Sequence, residues 1–268
     1  MAVITISRQT ESLGTEIAQE MADKLHYEYL DKEGIAEGLT AYGLAVPEVE
    51  KFDEKSHPFW VNWQIQGRKF FRAIKTVIYQ AARKDNVVIV GRGGQVLLKG
   101  IPGVLHVKII APFPDRVQRL AARNGGDESE LSRILKQDDR DSGGFIRNFF
   151  DADWEDLGLY DLTINTRHIP IHTAVDMILQ AVSAIEATKD IRRFRERLDD
   201  LILEQKVETV LLNMSLGNIH FKVAEGEVTL WGCLSSNSEG ESCVRLVSGI
   251  KGVQKVKDEM VAYQRQGT

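Results

Sequence analysis

The chain has 268 residues, of which 43% are hydrophobic and 27% are charged, a composition that suits one large globular domain or two modest ones. Its net charge of -5 provides no basic field for a nucleic-acid backbone, so we expect no DNA or RNA partner. No apolar run reaches the roughly 18 residues that a membrane span needs, and the N-terminus does not resemble an export signal, so we expect a cytoplasmic protein without stable membrane insertion.

The chain opens with a short apolar strand, a polar turn and an amphipathic helix. Val3 to Ile6 form the strand, Ser7 to Thr15 form the turn, and Ile17, Met21 and Leu25 then lie four apart on one helical face. This order is typical of a phosphate-binding loop, because the free N–H groups and the positive end of the helix dipole converge on an anion. The turn has a single glycine and no lysine, however, so it lacks the Walker A pattern. An ordinary turn with a serine or threonine N-cap is the alternative.

Further apolar runs predict a parallel sheet. Val87 to Val90 shows no polar alternation, as expected for a strand covered on both faces, and Val104 to Ile110 and Tyr160 to Thr166 follow. Strands that alternate with helices indicate right-handed βαβ units, whose ligands bind beyond the carboxyl ends of the strands. Both the opening turn and Gly91 to Gly94 lie at such ends. The other elements predicted here are a short strand at 27–30 and helices at 70–82, around 116–123 and at 173–187.

Five arginines follow the third long strand, in a stretch that reads as a helical hairpin. A solvated helix face with i,i+4 ion pairs is the usual explanation for such a run. In a phosphoryl-transfer enzyme, a lid at this place brings guanidinium groups onto the transferring phosphate. Both interpretations stay open. The arginines are Arg116, Arg119, Arg123, Arg133 and Arg140.

Residues 3 to about 187 resemble the cytidylate kinase-like family of P-loop nucleoside monophosphate kinases. The resemblance implies an α/β fold, a P-loop kinase-like parallel sheet with flanking helices, and an ATP-dependent phosphotransferase. Four pieces carry it, in the family's order: Ile4 to Arg8, Val88 to Gly94, Asp138 to Asp141, and Asp161 to Thr166.

The same resemblance implies a role for each matching residue. ATP would be bound by Arg8, Ser12, Gly14 and Thr15, and Thr15 would also contact Mg²⁺. The substrate-binding residues would be Asp31, Arg92, Arg123 and Arg133, and the catalytic residues would be Arg140 and Asp141.

The loop departs from the family's pattern at four positions. Glu11 and Leu13 stand where the family has glycines, Gly14 stands at the place of the Walker lysine, and Thr15 stands where the family's variant loop has arginine. A carboxylate that points into an anion-binding nest repels phosphate, whereas one that points to solvent does not. The orientation of Glu11 therefore decides how much the departure matters.

Two functional hypotheses follow. The first is an ATP-dependent nucleoside monophosphate kinase, cytidylate-like but with a degenerate phosphate loop, and it is favoured by Arg8, Arg92 and Arg140. The second is a catalytically inactive nucleotide-binding module with a sensing or assembly role, and the missing lysine favours it. The acceptor base stays open, because Gly93 and Lys32 stand where cytidylate kinases keep an acid and a serine.

The composition changes after Ala187. Residues 188–206 are dense in charge and predict a connecting helix that separates a domain at 1–187 from a small α/β domain at 207–268. The predicted elements of the small domain are a helix near 207–211, a hairpin of strands 219–223 and 227–231, a helix at 238–248 and a strand near 253–256.

This small domain resembles a BON domain, on the residues Ile219 to Val223, Gly226, Val228 to Gly232 and Gly249 to Val253. The resemblance implies an association with envelopes, phospholipids or other ligands. The chain shows no export signal or basic patch to support a membrane role, so we favour a packing or homo-oligomerisation role.

Overall fold

The computed structural model describes residues 2–40, 68–216 and 218–262, which form two units that divide between Asp190 and Ile191. No helix among these residues is long and apolar enough to cross a membrane.

A parallel sheet of five strands organises the first unit. The strands are β1 (Val3–Arg8), β2 (Glu28–Leu30), β3 (Val87–Val90), β4 (Val104–Ile110) and β5 (Leu162–Asn165). Their order is β2-β3-β1-β4-β5, so β1 lies between β3 and β4. Ile4 pairs with Val88 on one side and with Leu105 on the other. The carboxyl ends of the three central strands therefore meet at one edge of the sheet.

Helices flank this sheet and supply its core. On one face of the sheet, apolar residues of the central strands form a single buried cluster, to which α1 and α7 contribute Ile17, Met21, Ile178 and Val182. The helices are α1 (Gly14–Leu25), α2 (Lys32–Thr40), α3 (Arg68–Lys84), α4 (Gly94–Leu97), α5 (Phe113–Asn124), α6 (Glu128–Phe150) and α7 (Ile171–Thr188), with a 3-10 turn at Leu157–Leu159.

The second unit packs two helices on a three-stranded sheet. Its elements are α8 (Ile191–Asn213), β6 (Ile219–Ala224), β7 (Glu227–Leu234), α9 (Asn237–Ser248) and β8 (Lys255–Ala262). The strands β6 and β7 form an antiparallel hairpin, and β8 pairs with β7 in parallel. Leu203, Val207, Leu230 and Val247 are buried between helices and sheet.

The parallel sheet with flanking helices and the small second α/β domain are confirmed, with two differences in detail. The sequence predicts a connecting helix and a separate helix near 207–211, but α8 runs unbroken from Ile191 to Asn213. The last strand begins at Lys255 rather than near Val253 and extends to Ala262. None of the residues of this strand is fully buried, so charged side chains are tolerated along it and the alternation that marks a strand in the sequence is weak.

Candidate functional site

The loop between β1 and α1 keeps a tightly curled backbone without the usual glycines. Glu11 and Leu13 both adopt left-handed conformations, with φ of 62° and 64°, a region in which L-residues other than glycine are uncommon. Gly14 begins α1, and a Cβ added there would collide with the side chain of Arg8. Gly14 is thus required by close approach, whereas the curl itself is built from larger residues.

The carboxylate of Glu11 faces the protein and not the solvent. The Glu11 side chain is only 7% exposed and forms an ion pair with Nη2 of Arg123, whose own side chain is 61% exposed. The loop therefore holds an anion of its own, neutralised by a guanidinium from α5.

Two further arginines of α5 hold the backbone of the same loop. Arg119 donates from Nη1 to the carbonyl oxygen of Glu11 (3.1 Å) and to Oγ1 of Thr166 (3.0 Å). Arg116, which is buried, donates from Nη1 to the carbonyl oxygen of Thr10 (3.2 Å). Because these residues lie on one face of the helix at i, i+3 and i+7, α5 clamps the loop.

Arg116 also joins α5 to α6. Its Nη1 and Nη2 donate to the two carboxylate oxygens of Asp139 at 3.0 and 2.7 Å. Such a two-point pair fixes both position and orientation. The arginine stretch that the sequence offers as a lid thus includes two residues, Arg116 and Arg119, that are committed to holding the loop.

A cavity of about 300 Å³ opens beside the loop. Its lining, within the described part of the chain, contains four acids, two of them from α6, and two arginines. The acids are Glu11, Glu16, Asp138 and Asp141, and the arginines are Arg8 and Arg123. The excess of carboxylates disfavours a multiply charged anion.

Arg8 and Arg92 converge at the ends of β1 and β3. The Nη1 atom of Arg8 lies 2.8 Å from the place that a Cβ on Gly91 would occupy. Arg92 is buried, adopts a left-handed backbone with φ of 52°, and lies over the Phe145 ring at 5.6 Å. The two arginines line a second cavity of about 20 Å³, together with side chains that include Ser7 and Phe145.

A buried lysine lies at the same edge of the sheet. Lys108 on β4 is 1% exposed, and its Nζ donates to the carbonyl oxygen of Trp154 (2.8 Å) and to Oε2 of Glu155 (2.9 Å). Trp154 in turn donates from Nε1 to Oγ of Ser7 (2.7 Å). Burial raises the pKa of Tyr160, which donates to the same Trp154 carbonyl, to about 12. Apart from His106, Lys108 is the one polar residue of β4, and that was the available sequence signal for this cluster.

The structure brings most of the proposed site residues to these two cavities. Those that line the loop cavity are Arg8, Gly14, Thr15, Arg123 and Asp141, and Arg92 lines the second cavity with Arg8. Ser12 is buried, and its Oγ has no hydrogen-bond partner within the described part of the chain.

Three proposed residues lie elsewhere. Arg133 and Arg140 line an outer groove on α6, and Nη2 of Arg140 donates to Oε1 of Gln137 (2.6 Å). Asp31 accepts a hydrogen bond from the backbone N–H of Gly34 (3.1 Å) at the start of α2. The predicted roles of these three residues stay predictions.

The residues present do not fit the triphosphate that a P-loop kinase would bind. The buried carboxylate of Glu11 stands in the loop, and Asp138 and Asp141 face the same cavity. Residues 2–40, 68–216 and 218–262 contain no group of three or more His, Cys, Asp or Glu side chains that could hold a metal ion. Mg²⁺ favours oxygen ligands, and the lining of the loop cavity offers the hydroxyl of the exposed Thr15 together with carboxylates such as those of Asp138 and Asp141.

Comparison with known proteins places these features in context. Residues 3–168 match the model of the cytidylate kinase-like family, and residues 199–262 match that of the BON domain, so both resemblances are confirmed. A cytidylate kinase from Thermococcus kodakarensis is 27% identical over 167 residues, which cover 62% of this chain and 80% of that protein.

Two other matches differ in extent. A uronate isomerase from Corynebacterium glutamicum is 29% identical over 99 residues, 37% of this chain, so the chain spans only 19% of that protein. The crystal structure of an uncharacterized protein from Eubacterium ventriosum superposes with a TM-score of 0.54 at 22% identity, covering 69% of this chain and 99% of the other. That likeness concerns the fold alone.

Proposed function

Because the chain belongs to the cytidylate kinase-like family, we propose that its first unit binds a nucleoside monophosphate, with Arg8 and Arg92 holding the phosphate. The observation that carries this proposal is the convergence of the two guanidinium groups on one cavity at the carboxyl edge of the sheet. Doubly wound α/β proteins bind their ligands at this edge.

The chemistry of the two arginines suits a phosphate. Guanidinium groups make two-point, charge-assisted hydrogen bonds to phosphate oxygens, which lysine does not reproduce. The guanidinium carbon of the buried Arg92 lies 5.6 Å from the centroid of the Phe145 ring. The cavity of about 20 Å³ is closer in size to one water molecule than to a phosphate, so binding requires side chains of its lining to move outward.

Phosphoryl transfer from ATP is less well supported than monophosphate binding. The triphosphate would enter a cavity with four carboxylates and two arginines, one of which is already paired with Glu11. We therefore favour a nucleotide-binding domain that has lost efficient catalysis, and a sensing or assembly role for the BON unit.

An active nucleoside monophosphate kinase is the second candidate. Two features favour it: the loop keeps its left-handed curl at Glu11 and Leu13, and Arg123 is exposed enough to leave its partner. A phosphoryl-transfer site stabilises the negative charge on the transferring group, and a released Arg123 would supply a positively charged guanidinium for this purpose. This candidate requires ATP and Mg²⁺ as cofactors, and the triphosphate would fit only after Glu11 and Arg123 separate.

Calorimetric titration with the four common ribonucleoside monophosphates tests the binding site. Each charge-assisted hydrogen bond contributes roughly 1.5 to 3 kcal/mol, so Arg8→Ala and Arg92→Ala should each weaken binding by about ten- to a hundredfold. Arg147→Ala is the matched control, because Arg147 is an exposed arginine of α6 that lines neither cavity. Unchanged affinity in both arginine variants would remove the proposed site.

Two additional measurements complete the test. Arg92→Lys keeps the charge but loses the planar fork, so it should weaken binding while the unfolding temperature stays close to that of the parent protein. Product formation from ATP, Mg²⁺ and each monophosphate separates the two candidates. Steady turnover would favour the kinase, whereas binding without turnover supports the first proposal.

A further inference from the structure

The loop that opens α1 already contains a negatively charged group. The Glu11 side chain is almost fully buried, and its carboxylate meets the guanidinium of Arg123. Arg119 fixes the Glu11 backbone through its carbonyl oxygen (3.1 Å). Both the side chain and the backbone of this residue are thus held in place by α5.

The lining of the loop cavity contains more carboxylates than arginines. Among the described residues that line the loop cavity, Glu16, Asp138 and Asp141 add three further carboxylates, and Arg8 is the other cation. An incoming polyanion would therefore compete with Glu11 for Arg123 while facing the remaining acids.

From this geometry we infer that Glu11 is an internal occupant of the anion-binding loop. Its carboxylate takes the place that a phosphate of the nucleotide donor would take, and Arg123 is the group that it withholds. A single substitution at Glu11 reopens the loop to a polyphosphate anion. The inference concerns the loop and holds whether or not Arg8 and Arg92 bind a monophosphate.

The choice of substitution follows from the backbone. Glycine is the residue best suited to the left-handed conformation of Glu11, with its φ of 62°, so Glu11→Gly should fold without strain in the loop. It removes the carboxylate and its bulk and releases Arg123. Glu11→Gln removes the charge but keeps the bulk, so it should reopen the loop less.

Isothermal titration calorimetry with inorganic tripolyphosphate is the decisive experiment. We expect Glu11→Gly to bind the probe at least tenfold more tightly than the parent chain. The released guanidinium can form a charge-assisted hydrogen bond to the probe, and one such bond changes the dissociation constant by roughly tenfold or more. The probe should also raise the unfolding temperature of Glu11→Gly and leave that of the parent chain unchanged.

Two matched variants identify the cause of any gain. Glu16→Gln removes one charge from the same cavity but frees no arginine, so it should gain far less than Glu11→Gly. The double variant Glu11→Gly, Arg123→Ala should lose the gain. The inference is overturned if the parent chain binds tripolyphosphate as tightly as Glu11→Gly, if Glu16→Gln gains as much, or if the double variant keeps the gain.

Discussion

Replacement of the buried Lys108 by methionine tests how the edge of the sheet is held together. Methionine keeps an unbranched side chain of similar length but removes the ammonium group. The parent Nζ donates to the Trp154 carbonyl (2.8 Å) and to Glu155 (2.9 Å), and it lies 4.8 and 5.2 Å from the ring centroids of Trp154 and Tyr160. All four interactions are lost in Lys108→Met.

The expected loss of stability is the difference between the contacts that are lost and the burial cost that is removed. A hydrogen bond to a charged group contributes about 1.5 to 3 kcal/mol, and a cation–π contact adds about 0.5 to 2 kcal/mol. Against this, the variant no longer carries the cost of burying an ammonium, which is several kcal/mol. Tyr160 still donates to the Trp154 carbonyl (2.9 Å), and Glu155, at 62% exposed, regains water. We therefore expect a loss of about 2 kcal/mol, or about 4 to 8 °C in unfolding temperature for a unit of this size.

Urea unfolding followed by circular dichroism measures this loss, and Glu155→Gln is the matched control. The control should cost less than Lys108→Met, because Glu155 is itself 62% exposed and the glutamine amide keeps an oxygen that can accept a hydrogen bond from the buried Nζ. A stability of Lys108→Met equal to that of the parent chain would refute the reasoning, since burial of the ammonium would then outweigh its contacts. A control as costly as Lys108→Met would also contradict it.

Three further predictions concern the same two units. In Gly93→Ala the added Cβ meets the Phe150 ring, and alanine must adopt the left-handed φ of 76° that Gly93 has. This variant should destabilise the first unit by about 2 to 4 kcal/mol in urea unfolding, and adding Phe150→Ala should recover part of that loss. Burial lowers the pKa of His106, so the folded protein holds its imidazole neutral, and this contribution to stability is present above about pH 6.5 and lost as the pH falls below it. The unfolding free energies at pH 7.5 and pH 5.5 should therefore differ less in His106→Gln than in the parent chain. Asp200 accepts two backbone N–H groups in the turn between β6 and β7 (2.8 and 2.9 Å), so Asp200→Ala should cost about 2 to 3 kcal/mol in the unfolding of the second unit, whereas the exposed Asp199→Ala should cost under about 0.5 kcal/mol.

The sequence is most informative where burial is uniform. Val87 to Val90 is buried in full, and its uninterrupted apolar run identifies a central parallel strand. It is least informative in β8, which has no fully buried residue and whose charged residues hide its ends. Strand boundaries in such a half-covered element depend on its partner β7, and no local pattern in the sequence reveals that pairing.

The candidate site shows a similar division between local and tertiary information. The order of strand, turn and helix placed Arg8 and Arg92 at one edge of the sheet, because parallel strands bring their carboxyl ends together. The positions of the arginine side chains of α5 and α6 could not be predicted from the order of the elements. Arg123 meets the loop and Arg140 faces an outer groove, a distinction that depends on how the two helices pack. The inward orientation of Glu11 depends on the same packing.

The loop shows why a kinase fold does not by itself specify a kinase. A left-handed backbone costs about 1 to 2 kcal/mol at each non-glycine residue, and Glu11 and Leu13 both bear this cost. Three donors offset it by holding consecutive loop carbonyls: Arg116 donates to Thr10, Arg119 to Glu11 and Thr166 to Ser12. Because these hydrogen bonds come from the protein itself, the curled conformation requires neither glycine nor a bound phosphate. The fold can therefore persist with a carboxylate in the loop, and function must be argued from the site.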